Sequence, residues 1–175
     1  MKRIKTPLEE KELAGLEPGD EVLLSGRIYT SRDQAHARMT EAIRKRKGLP
    51  IDLRRAVIYY CGPAKAARGK PIGSCGPTTS SRMDAFTPLL LKYGLRGMIG
   101  KGGRSQKVSQ AIKKYKAVYF LAPAGCGALI TRYVKSARPA GYQDLGPESI
   151  LELEVKDFPL IVAIDTKGRS IYGKA

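Results

Sequence analysis

Residues 73–84 read GSCGPTTSSRMD and set two hydroxyl side chains, Thr78 and Thr79, just ahead of the guanidinium of Arg82. Hydroxyls and free backbone N–H groups at the start of a helix donate hydrogen bonds to an anion, and an arginine grips a carboxylate through two parallel ones. Two further cations stand in comparable settings: Arg32 in TSRDQAH and Lys101 in GKGGRS. This combination suits a small carboxylate or a phosphate. The same residues leave other readings open, since Arg82 could simply pair with Asp84 or another neighbour. GKGGRS lacks the full spacing of a nucleotide-binding loop, and its lysine is not followed by Ser or Thr. No Ser-His-Asp pattern, metal-ligand spacing or carboxylate pair in a glycine loop accompanies these groups.

His36 is the single histidine and reads as a polar helix residue. Cys61, Cys75 and Cys126 read as small buried fillers or loop residues, although three cysteines could hold an iron–sulfur cluster with one open iron. An odd cysteine count with one histidine points to a reduced, intracellular chain and not to a disulfide scaffold.

The candidate groups need elements to hold them, and the pattern supplies strand–loop–helix units. Glu21–Tyr29 reads as a strand, followed by a helix capped by Ser31 or Asp33 and stopped by Gly48. Ala56–Tyr60 is a short buried strand that runs into a long Gly- and Pro-rich loop from Cys61 to about Pro77. SSRMDAFTPLLLKYG then predicts a helix with hydroxyl caps, kinked at Pro88 and ended by Gly94. Gly97–Ile99 and Ala117–Leu121 repeat the strand reading, with helices expected from Ser105 to Tyr115 and after the glycine loop at 123–127. The C-terminal part reads as three strands, Ile150–Val155, Leu160–Ile164 and Ser170–Tyr172, with DTKG as a hairpin-like turn. Parallel strands in the middle and a β-rich end predict a layered α/β domain, a single one over 1–175. Ligands of such sheets collect at the carboxyl ends of strands. Arg32, Arg82 and Lys101 all fall on loops at that end.

Bulk properties narrow the partners. The chain has 175 residues, a formal net charge of +16 and 42% hydrophobic residues, enough for a real core. Nucleic acid is one reading of the charge. The basic residues are spread along the chain, however, and seven per cent aromatics with no Trp supply a poor base-stacking platform. The runs Arg44–Lys47 and Lys113–Lys114 read as solvated helix faces or as a docking surface for an acidic subunit. No stretch approaches the ~20 apolar residues of a membrane span. The N-terminal run MKRIKTPLEEKELAGL lacks the apolar segment of a signal peptide, so a cytoplasmic location is expected.

GPTTSSRMD, preceded by YYCGPAKA and followed by GMIGKGGRS, resembles the β subunit of iron–sulfur (class I) fumarate hydratases and L-tartrate dehydratases. GRIYTSRDQAH and VKDFPLIVAIDTKG extend the resemblance over nearly the whole chain in the same order. It implies a swivelling β/β/α domain that packs on a separate α subunit. That partner is expected to carry the [4Fe-4S] cluster and its three cysteine ligands, leaving no metal on this chain. The resemblance implies a hydro-lyase, active only with its α subunit in a hetero-oligomer, that interconverts fumarate and L-malate, or alternatively dehydrates L-tartrate. It places Arg32, Arg82 and Lys101 on the substrate carboxylates and Thr78 near the proton-transfer position, with Thr79 beside it. Ser80 and Ser81 depart from the family's small Ala-Gly pair, a change expected to have little consequence.

Overall fold

The computed structural model describes residues 1–125 and 127–173; Cys126 lies outside them. Strands are β1 (Lys2–Lys5), β2 (Glu21–Thr30), β3 (Val57–Tyr59), β4 (Gly97–Gly100), β5 (Val118–Leu121), β6 (Val134–Gly141) and β7 (Ile150–Ile164). Helices are α1 (Glu10–Ala14), α2 (Asp33–Arg44), α3 (Thr87–Lys92), α4 (Gln106–Tyr115) and the single turn α5 (Gly127–Ile130), with short 3-10 turns between. The strands form one mixed sheet in the order β1-β2-β3-β4-β5-β7-β6. β2 through β5 run parallel, while β7 lies antiparallel to β5, β6 and β2. Because β2 and β7 also pair, the strands β2, β3, β4, β5 and β7 close on themselves.

Period-two alternation explains the layering. On β3, Val57 and Tyr59 enter one apolar core, while Ile58 enters the other. On β5, Val118 and Phe120 take the first core and Tyr119 the second. The first core is closed from the other side by Leu153, Val155, Phe158, Leu160 and Val162 of β7. The second is closed by Met39 and Ile43 of α2, Leu90 and Leu91 of α3, and Val108 and Ile112 of α4. The parallel strands therefore sit between an antiparallel layer and a helical layer. Each fully buried aliphatic or aromatic side chain contributes about 1.5–3 kcal/mol.

Several sequence expectations are corrected. The helix expected over 80–94 is instead a 3-10 turn, Ser80–Met83, followed by α3. Pro88 does not kink a helix; it occupies the first turn of α3, where its missing N–H costs nothing. The cap of α2 is Arg32, with no side-chain bond, and the helix ends at Arg44 before Gly48 is reached. Ile150–Val155 and Leu160–Ile164 are one continuous strand. Asp157 bends through φ 51, and Pro159 falls where β7 has β2 as its only pairing neighbour. Ser170 makes only an isolated bridge to Ile164, so Ser170–Tyr172 is not a strand. The helix expected after the 123–127 loop is short and gives way to β6, which adds the outer strand of the antiparallel layer.

Gly100 ends β4 where the 78–80 segment crosses it. A Cβ there would lie 1.9 Å from Ser80 Oγ and 2.9 Å from the Tyr60 ring. Gly100→Ala should therefore destabilise the chain by about 1–3 kcal/mol in urea titrations. Gly100→Ala combined with Ser80→Ala should cost less than the sum of the two; strictly additive losses would contradict this packing.

Candidate functional site

The carboxyl ends of β2, β3 and β4 are tied together by backbone hydrogen bonds. Ser31 N–H donates to the Tyr59 carbonyl at 3.1 Å, Thr78 N–H to the Tyr60 carbonyl at 2.7 Å, and Tyr60 N–H to the Ile99 carbonyl at 2.8 Å. Thr79 and Lys101 form a parallel bridge, and Ser80 N–H donates to the Lys101 carbonyl at 3.1 Å. The long loop before Thr78 has no regular structure, but it is pinned. The Tyr59 hydroxyl donates to the Cys75 carbonyl, Ala64 N–H to Ser74 O, and Cys75 N–H to Gly127 O.

Arg32, Thr78, Thr79, Arg82 and Lys101 thus all stand on one edge of the parallel sheet. Arg32 leads into α2 directly after β2, Lys101 follows β4, and the others lie on the segment between β3 and α3. The Arg32 side chain is three-quarters buried, yet among the described residues it makes no hydrogen bond. Its nearest carboxylates are Asp33 at 3.7 Å and Glu148 at 3.9 Å, and its Nε is buried without a partner. Gly62 must be small here, since a Cβ would lie 2.8 Å from an Arg32 terminal nitrogen. Arg82 Nε donates to Asp33 Oδ1 at 2.9 Å. Asp33 therefore joins the two arginines, and the pairing of Arg82 with Asp84 does not occur. Thr78 is half-buried and Thr79 exposed. Among the described residues, neither threonine hydroxyl, the Lys101 ammonium nor the terminal nitrogens of Arg82 has a hydrogen-bond partner.

Ser80–Met83 is a single 3-10 turn whose cap residue, Thr79, makes no side-chain capping bond. This turn is too short to offer a helix dipole, so an anion beside it would be met by side-chain cations. The turn is itself fixed from below. Ser80 Oγ lies 2.9 Å from the Tyr119 hydroxyl and accepts from Lys101 N–H at 3.1 Å, so its hydroxyl ties the turn to the glycine loop. Arg104, its side chain fully buried, donates to Asp84 at 2.7 Å and to the Thr87 hydroxyl at 2.7 Å. Its guanidinium also lies over the Tyr60 and Tyr119 rings at 5.3 and 5.0 Å. Burial works against its charge, but Tyr60 and Asp84 outweigh it and raise its pKa. Asp84 also accepts from Ser105 N–H at 2.7 Å, at the start of α4. Ser80, Asp84 and Arg104 were missed as site residues because their value lies in hydrogen bonds across 17–39 positions.

Cys61 and Cys75 are buried free thiols. Burial pushes Cys61 well above its usual range and Cys75 up to about 11, so both stay protonated. Among the described residues no group of three or more His, Cys, Asp or Glu could hold a metal ion. Cys126 lies outside the described residues. A cavity of about 820 Å³ opens at the opposite end of the parallel strands, lined in part by Arg27, Arg55 and Arg96. None of the five predicted residues lines it. Of its arginines, Arg55 lies on Glu9 at 2.6 Å and Arg27 near Glu152 at 3.3 Å, while Arg96 donates to the Leu91 and Leu95 carbonyls. Among the described residues the Lys101 ammonium and the terminal nitrogens of Arg82 keep unspent donors, which marks the carboxyl edge as the better candidate.

The family model described as Fumarase C-terminus matches residues 2–175. A protein of Methanocaldococcus jannaschii, provisionally named L(+)-tartrate dehydratase subunit beta, is 40% identical over 94% of this chain and 88% of its own length. The L(+)-tartrate dehydratase subunit beta of Escherichia coli is 35% identical over 99% and 88% respectively. The anaerobic class I fumarate hydratase of Escherichia coli is 40% identical over 85% of this chain. The match spans only 28% of that enzyme's length.

His36 is buried behind the site. Its Nδ1 lies 2.8 Å from Ser31 Oγ and 2.9 Å from the Arg32 carbonyl, while Nε2 is buried without a partner beside Tyr60 and Phe86. Burial, helped by the Arg104 charge, pushes its pKa down to about 4. Between pH 6.5 and 4 the unfolded chain therefore takes a proton that the folded chain refuses. Stability should fall as the pH drops through this window, by roughly 3 kcal/mol at its lower end, with no contribution above pH 6.5. Urea titrations of wild type and His36→Gln check this. The variant should show a shallower pH slope, and equal slopes would contradict a buried neutral imidazole.

Proposed function

Because the chain belongs to the fumarase C-terminus family, we propose that it is the β subunit of an iron–sulfur hydro-lyase, contributing the carboxylate-binding half of a composite active site. The reading is carried by one observation: three cations and two hydroxyls converge at the carboxyl edge with donors unspent. The substrate on this reading is a small dicarboxylate, fumarate or L-malate. A second reading, L-tartrate, is favoured by the match to two tartrate dehydratase β subunits over 88% of their lengths.

Arg32, Arg82 and Lys101 bind and orient the two carboxylates, with Thr79 at the rim. Removing a proton next to a carboxylate drives charge onto its oxygens, and guanidinium donors already aimed at those oxygens stabilise it without reorganisation. Thr78 is the group assigned to holding or passing that proton. A threonine is a poor base at its ordinary pKa, so the neighbouring cations must favour its deprotonated form or a relay must assist it. A [4Fe-4S] cluster on the α subunit, not on this chain, would supply the Lewis acid that holds the substrate hydroxyl. The β/β/α layers would swivel against that subunit as a unit, closing the half-site over the substrate. Among the described residues no helix is long and apolar enough to cross a membrane, and we place the assembly in the cytoplasm.

Anaerobic co-expression with an α subunit, assayed with malate, fumarate and tartrate, tests the reading. Turnover is expected only when both chains are present, and activity of this chain alone would contradict it. In the two-chain enzyme, Arg82→Ala should leave assembly intact and lower kcat/KM by roughly 10²–10³-fold, the loss typical of one transition-state donor. A wild-type value would remove Arg82 from the site.

A further inference from the structure

Asp33 touches no substrate in the reading above, yet both arginines meet on it. Arg82 Nε donates to Oδ1 at 2.9 Å, and Arg32 Nε lies 3.7 Å from Oδ2. Each guanidinium thus presents its Nε edge to the same carboxylate. Asp33 Oδ2 and Arg32 Nε are both buried without a hydrogen bond, an arrangement that costs free energy and calls for a reason. Glu148, on the other side of Arg32 at 3.9 Å, is already committed, because its second oxygen accepts from Gln34 N–H at 2.9 Å.

The two anchors also differ in rigidity. Asp33 opens α2, a helix of 12 residues packed through Met39 and Ile43. Arg82 hangs from one 3-10 turn, with its side chain half exposed. A fixed carboxylate can therefore set the direction of a long, otherwise mobile side chain. Two guanidiniums brought this close would repel without an anion between them.

We infer that Asp33 is the positioning residue of the clamp. It registers Arg32 against Arg82 through their Nε edges and leaves the terminal nitrogens of Arg82 free for a dicarboxylate. The inference rests on the dicarboxylate reading for its purpose, though not for its geometry.

Two measurements test it. In the full-length chain, the Nε–H resonances of Arg32 and Arg82 should both shift and exchange faster with water in Asp33→Asn, whereas Glu148→Gln should move Arg32 alone. In the enzyme assembled with its α subunit, Asp33→Asn should raise KM for the dicarboxylate about 10- to 100-fold, with kcat much less affected. It should add little to the loss already caused by Arg82→Ala, since both act through one guanidinium. Unmoved Nε–H signals, an unchanged KM, or losses fully additive with Arg82→Ala would each overturn the assignment. A wild-type assembly that turns over no dicarboxylate would sink the hydro-lyase reading instead, and the resonances would still decide whether Asp33 ties the two arginines.

Discussion

The side chain of Arg104 carries a positive charge with no access to water, and the architecture of the site follows from how that charge is satisfied. Asp84, Thr87 and two tyrosine rings surround it. A buried ion pair of this kind adds little net stability, because desolvation offsets most of the attraction. Its value is geometric. Arg104 closes the glycine loop that carries Lys101, and Asp84 ends the turn that carries Arg82. Their pairing therefore fixes two candidate site cations, Arg82 and Lys101, relative to each other. Ser80 adds a second tie between the same two segments, through its own hydroxyl and N–H. Gly100 has to be glycine for that hydroxyl to fit.

Above this anchored floor lies a surface with an excess of positive charge. Among the described residues Arg32, Arg82 and Lys101 are offset there only by Asp33 and Glu148, neither of which takes the terminal nitrogens of Arg82.

Much of the parallel layer was legible in the sequence because its strands are short, buried on both faces and followed by glycine loops. Val57–Tyr59, Gly97–Gly100 and Val118–Leu121 differ from expectation by one residue at most at either end. The shared edge of the five candidate residues was legible by motif and position. The 80–94 helix was misread because residue pattern alone does not separate a 3-10 turn plus a short helix from one kinked helix, and Pro88 permits either. β7 was split because KDFP looks like a break; only the pairing with β2 shows that the chain runs through it. β6 and the Asp33, Ser80 and Arg104 contacts were illegible for a common reason. Their roles depend on partners far along the chain, such as Glu152 beside Arg138 or Tyr119 beside Ser80.

The central claim is that this chain supplies the cationic half of a carboxylate site. A crystal structure of the two-chain enzyme with a bound dicarboxylate tests it most directly. The account predicts a substrate carboxylate within about 2.7–3.2 Å of the terminal nitrogens of Arg82, with Arg32 and Lys101 on the same ligand. A ligand held entirely by the α subunit, with Arg82 still turned to Asp33 and no carboxylate against it, would contradict the account.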